Sequence, residues 1–123
     1  MIKGIGIDIV QINRMESWIA NNELLNRYFH SDELSLSSNR KTSASQTLAA
    51  RFAAKEAFGK ALGTGLANIT LKDIIILNKD NGEPQIILKD TALEAFKKSG
   101  AEKIHISLSH ERENAVAIIV LEA

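Results

Sequence analysis

Apolar and polar positions fall into segments of different period along this chain. Ile2–Val10 is rich in Ile and Val and too short for a capped helix, which predicts a strand buried on both faces. In a polar stretch, Ile12, Met15, Trp18 and Ile19 recur at helical spacing and predict a short amphipathic helix over Asn13–Ala20. Leu24–Asn39 reads as two short helical turns, one opening at Ser31 with Asp32 and Glu33 where a helix dipole favours acids. A long helix is expected after Ser43, because Ser43 and Gln46 form a capping-box pair, Ala and Leu follow, and Gly63 sits where a C-terminal cap belongs.

Beyond Gly65 the pattern becomes extended. Ile69–Leu77, the turn Asp80-Asn81-Gly82 and Gln85–Leu88 predict a hairpin. Thr91 and Glu94 suggest a second capping box, opening a helix that Gly100 stops. Lys103–Ser109 and Asn114–Leu121 predict a final hairpin. The expected fold is α+β: mostly antiparallel sheet packed on one long helix plus shorter helices, in a single domain over 1–123.

Composition narrows the chemistry. At 123 residues the chain suits one domain with a proper core, and no repeat or low-complexity segment interrupts it. Fifteen Lys and Arg balance fifteen Asp and Glu, which argues against a nucleic-acid binder. Cysteine is absent, so disulfides, thiolate metal sites and a cysteine nucleophile are excluded. The longest apolar run, Ala115–Leu121, is far short of a membrane span, and Lys3 and Asp8 interrupt the first segment unlike a signal peptide. A cytoplasmic location is the expectation.

Three charged positions sit in apolar company. Asp8 alternates with Ile7 and Ile9 and shares its face with Gly4 and Gly6, which leave room for a ligand or another backbone. The alternative is a strand-end carboxylate binding nearby N–H groups. On the long helix, Glu56 and Lys60 fall over Ala49 and Ala53, while Arg51 and Lys55 lie farther round. The plainer reading is an exposed ion pair one turn apart. His110 ends a strand whose core face carries Ile104, Ile106 and Leu108, leaving His105, Ser107 and Ser109 opposite; it could contact a phosphate or be a loop histidine. Gly63-Thr64-Gly65 could present N–H groups to an anion, but it lacks the Walker pattern and opens no helix. Two carboxylates and a lysine without cysteine suggest a hard cation, most naturally Mg²⁺, and a reaction on a phosphorylated small molecule.

Residues 4–10, Gly-Ile-Gly-Ile-Asp-Ile-Val, resemble the opening motif of the small bacterial holo-[acyl-carrier-protein] synthases in the 4′-phosphopantetheinyl transferase superfamily. Residues 51–65, Arg-Phe-Ala-Ala-Lys-Glu-Ala-Phe-Gly-Lys-Ala-Leu-Gly-Thr-Gly, are similar to the family's central signature. Residues 81–84 and 106–110 resemble two shorter stretches in the right order. The resemblance implies transfer of phosphopantetheine from coenzyme A to a serine of apo acyl carrier protein, releasing adenosine 3′,5′-bisphosphate. By motif position, Asp8 and Glu56 would hold Mg²⁺. Glu56, directly or through a metal-bound water, would be the base, and Lys60 would stabilise charge on the transferring phosphate. Arg51, Lys60, Gly63, Gly65, Pro84, Ser109 and His110 would form the coenzyme A site.

The family also implies a homotrimer with active sites between subunits. The basic pair Arg40-Lys41 lies slightly earlier than the family's basic pair, and Asn21 and Asn22 occupy a stretch that is often basic. Residues 1–60 carry eight Lys and Arg against six Asp and Glu, so neutrality conceals a basic first half. Arg14, Trp18 and Arg27 are the expected contacts to the acidic carrier protein. Two other readings fit the residues: a Mg-dependent hydrolase of a diphosphate metabolite, and a non-catalytic module binding coenzyme A or the carrier.

Overall fold

The computed structural model describes residues 1–35 and 43–123; the Arg40-Lys41 pair lies outside the described residues. Helix α4 (Ala44–Leu62) is the centre of the molecule. Its capping box forms as expected: Ser43 Oγ accepts from the Gln46 N–H at 3.1 Å, and Gln46 Oε1 accepts from the Ser43 N–H at 3.2 Å. Gly63 ends it in the left-handed conformation, φ 82°. Leu48, Ala49, Phe52, Ala53, Ala57, Phe58 and Ala61 are buried, so the helix is covered nearly all round.

A three-stranded antiparallel sheet, β1 (Ile2–Gln11), β5 (Asn114–Glu122) and β4 (Lys103–His110) in that spatial order, packs one face on α4. That inner face carries Gly4, Gly6, Asp8 and Val10, paired with Leu121, Ile119, Ala117 and Ala115. The glycines serve another backbone, since a Cβ at Gly4 would lie 1.9 Å from the Ala61 carbonyl oxygen and one at Gly6 1.9 Å from that of Ala57. The outer face corrects the expectation of a strand buried on both sides. Ile5 and Ile7 are each 58% exposed and Ile9 65%, because no element among the described residues covers them.

Strands β2 (Ile74–Asn78) and β3 (Pro84–Leu88) form a separate two-stranded sheet around the Asp80-Asn81-Gly82 turn. β2 starts five residues later than the pattern suggested. Leu71–Asp73 instead form a 3₁₀ turn, in which the Asp73 N–H donates to the Thr70 carbonyl. Helix α5 (Asp90–Lys98) lacks the expected Thr91–Glu94 box. Its Thr91 N–H and hydroxyl donate to the Asp73 carboxylate at 3.0 and 2.5 Å, so a distant acid caps the helix in place of Glu94. Short helices α1 (Asn13–Ile19), α2 (Asn22–Tyr28) and α3 (Ser31–Leu34) lead toward α4. Asn21 caps α2, accepting from the Glu23 and Leu24 N–H groups, which gives a local role to a residue in the stretch often basic in the family.

Candidate active site

Close packing of β1 on α4 puts Asp8 beside the helix's last two turns. Lys60 Nζ donates to Asp8 Oδ1 at 3.0 Å and to the Ile7 carbonyl at 3.0 Å. The Asp8 side chain is largely covered and Lys60 half exposed. Thus the lysine pairs with the strand acid rather than with Glu56, and the plain exposed Glu56–Lys60 pair is not what forms. Glu56 is half-buried. Burial pushes its carboxyl above the usual range, the nearby Asp8 charge adds to the rise, and Lys60 and Arg14 oppose it. Asp8, Glu56 and Lys60 thus form a charge cluster where β1 meets α4, and a carboxyl shifted by burial and a specific charge neighbour is a candidate for chemistry.

Arg14 joins this cluster from α1. Its guanidinium lies 5.3 Å from the Trp18 ring centroid and 5.4 Å from that of Phe52. Trp18 stacks on Tyr28 at 5.1 Å, and Arg27, beside Tyr28 in the last turn of α2, is exposed. The three residues expected to meet a carrier protein therefore lie on the α1–α2 pair, with Arg14 nearest the carboxylates.

The expected coenzyme A residues divide into three places. Arg51, Pro84 and His110 line one cavity of about 240 Å³, together with Gln46, Thr47 and Asn78. His110 reaches it because it pairs with Ala115 and so lies on the sheet's inner face; adjacent Ser109 lies on the outer face. Gly63 and Gly65 form the turn after α4, one turn beyond Lys60, where the Gly65 N–H donates to the Gly59 carbonyl at 3.0 Å. At roughly 100° per residue, Arg51 and Lys60 point about 180° apart around α4. One copy of this chain does not bring the Arg51 cavity and the Asp8 cluster together.

Residues the sequence did not single out join α3, α4 and β2. Glu33 and Lys55 are both 0% exposed and paired at 2.7 Å. Burial lowers the Lys55 pKa and the Glu33 carboxylate opposes the change. The available signal was Lys55 itself: a lysine whose neighbours three and four positions away on its own helix, Arg51, Phe52, Phe58 and Gly59, include no acid to meet it.

No group of three or more His, Cys, Asp or Glu side chains placed to hold a metal occurs among the described residues. Asp8 and Glu56 supply two hard oxygen donors, a set that suits a cation completed by water and substrate oxygens. No helix among the described residues is long and apolar enough to cross a membrane.

Residues 4–119 match the family model of the 4′-phosphopantetheinyl transferase superfamily. The chain is 50% identical over 122 residues to the holo-[acyl-carrier-protein] synthase of Treponema denticola, covering 99% of each. It superposes on the holo-[acyl-carrier-protein] synthase (AcpS) of Neisseria meningitidis with a TM-score of 0.87 at 30% identity, over 100% of both chains. The Bacillus anthracis holo-(acyl-carrier-protein) synthase, solved in complex with CoA (3′,5′-ADP), gives 0.80 at 37% identity, over 100% of this chain and 98% of that one.

Proposed function

The chain belongs to the 4′-phosphopantetheinyl transferase superfamily, and we infer from that membership and from its charge cluster that it acts as a holo-[acyl-carrier-protein] synthase. It transfers 4′-phosphopantetheine from coenzyme A to a serine of apo acyl carrier protein. The serine oxygen forms a bond to the phosphorus carrying the pantetheine arm, and the bond from that phosphorus to the other phosphate breaks. Adenosine 3′,5′-bisphosphate leaves with the bonding electrons, and the serine proton passes to a base. The observation that carries this reading is the Asp8–Lys60 ion pair beside Glu56, whose carboxyl is held above its usual range. A carboxylate of raised proton affinity is suited to take the hydroxyl proton. Lys60 is placed to stabilise negative charge on the transferring phosphate, and Arg14 links this chemistry to a docking surface for an acidic carrier.

Asp8 and Glu56 would hold Mg²⁺. When bound, the ion would offset charge on the diphosphate and favour departure of the leaving phosphate. The donor set supports this fit: two carboxylates from β1 and α4 offer hard oxygens to a cation that water and diphosphate oxygens would complete. Arg51, Pro84 and His110 would take the nucleotide portion of coenzyme A.

The working form is a homotrimer with sites between subunits. Its support is twofold: Ile5, Ile7, Ile9 and Ile118 form an apolar outer sheet face, and α4 presents Arg51 and Lys60 on opposite sides. Chromatographic detection of adenosine 3′,5′-bisphosphate tests the whole reading. Release should require coenzyme A, apo carrier protein and Mg²⁺ together; release without the carrier would point to a diphosphate hydrolase.

A further inference from the structure

Among the described residues, β2 has a strand partner on one side only, β3. Its other edge is met by two side chains rather than by a strand. Glu33 Oε2 accepts from the Ile76 N–H at 3.0 Å, while Lys55 Nζ donates to the Ile74 carbonyl. Lys55 Nζ also donates to the Leu71 carbonyl at 2.8 Å and to Glu33 Oε1 at 2.7 Å, which accounts for all three of its N–H donors. Glu33 Oε1 further accepts from the His30 N–H at 2.9 Å. This buried pair therefore substitutes for a missing strand and joins β2 to α3 and α4.

Its connections continue into the cavity. The Glu33 backbone carbonyl accepts from Arg51 Nη1 at 2.5 Å, and Arg51 Nη2 donates to Asn78 Oδ1 at 3.1 Å. Asn78 ends β2, and its Nδ2 donates to the Gly82 carbonyl in the turn leading to Pro84. Glu33 thus fixes the Arg51 guanidinium through its backbone and the β2–β3 hairpin through its carboxylate. Three of the residues lining the cavity, Arg51, Asn78 and Pro84, take their places from this arrangement.

We propose that Glu33 and Lys55 are positioning residues for coenzyme A: by holding the β2–β3 hairpin against α4, they set the cavity formed by Arg51, Pro84 and His110 for the nucleotide portion of the substrate. The proposal rests on the transferase reading above and assigns the pair no contact with substrate. Asp8 of β1 meets Lys60 on the other side of α4, and neither they nor Glu56 bond to Glu33 or Lys55, so the pair acts on substrate binding and not on the chemical step.

The test compares wild-type protein with Lys55→Met and with Lys55→Met/Glu33→Gln, the second variant removing both charges so that neither is left buried alone. Calorimetry measures the Kd for adenosine 3′,5′-bisphosphate, and transfer kinetics separate kcat from the two KM values. Lys55→Met should raise that Kd and the KM for coenzyme A by about ten- to a hundredfold, with kcat within about threefold and the carrier-protein KM unchanged. Amide exchange at Ile76 should quicken while β1 and β5 stay protected. If Lys55→Met does not fold, the double variant is read by the same criteria, with at least about a tenfold rise in the coenzyme A KM. A fall in kcat at unchanged coenzyme A KM, unchanged nucleotide affinity, or equal losses for both substrates overturns the proposal. Wild-type protein that binds the nucleotide but transfers nothing would instead overturn the transferase reading, leaving the nucleotide Kd to decide the role of the pair.

Discussion

Gly6→Ala should separate the halves of the charge cluster without touching a charged group. The added Cβ would lie 1.9 Å from the Ala57 carbonyl oxygen and 2.7 Å from the Ala61 nitrogen, both helix backbone. Neither can rotate away, so clearing 3.0 Å requires β1 to retreat by about 1.1 Å. Overpacking of this kind costs about 1–3 kcal/mol, and for a domain of this size each kcal/mol lowers the melting temperature by roughly 3–6 °C. Asp8 stands two residues along the same face and would move with the strand, away from Lys60 and Glu56. A displacement near 1 Å at a reacting centre lowers kcat by about a hundredfold. The Arg51 cavity lies on the opposite side of α4, so affinity for adenosine 3′,5′-bisphosphate should persist. Thermal unfolding, calorimetry and transfer kinetics on one preparation read all three quantities. Wild-type melting and wild-type kcat in Gly6→Ala would refute the account of why β1 carries these glycines.

Three further outcomes are expected. Mixing Asp8→Asn with Arg51→Ala, each inactive alone, should restore part of the activity after subunit exchange, because some shared sites then receive one intact side from each chain; no recovery would place the site within one subunit. Arg14→Ala should raise the carrier-protein KM and flatten its salt dependence, whereas an unchanged KM insensitive to salt would remove Arg14 from the docking surface. The Glu111 carboxylate accepts from the Glu113 and Asn114 N–H groups at 2.9 and 2.6 Å, and the Glu113 bond leads in holding its pKa below the ordinary 4.5. Its folded value is depressed, so its support of the β4–β5 turn is complete at neutral pH and is lost as acid carries the pH down through that value. NMR titration of the Glu113 amide should show a midpoint below 4.5, and a midpoint at or above it would contradict the assignment.

The sequence was readable where the information is local. Ser43, Gln46 and Gly63 delimit α4 by its own end groups, and Gly82 and Gly100 mark stops for the same reason. Asp8 was legible as a charge in need of a distant partner because it stands on a glycine-lined face, and Lys60 of α4 supplied that partner. What escaped was long-range. Thr91 has the spacing of a cap but answers to Asp73, and Lys55 finds Glu33 twenty-two positions away. The isoleucines of β1 show the limit from the other side: their pattern predicted burial on both faces, and the described residues leave Ile5, Ile7 and Ile9 exposed.

Intact-mass spectrometry of apo acyl carrier protein incubated with coenzyme A, Mg²⁺ and this protein tests the central claim most directly. The carrier should gain the mass of one phosphopantetheine group on its serine, and Glu56→Gln, folded to the same melting temperature, should give no gain on the same timescale. A carrier of unchanged mass while coenzyme A is consumed, or undiminished transfer by Glu56→Gln, would contradict the account.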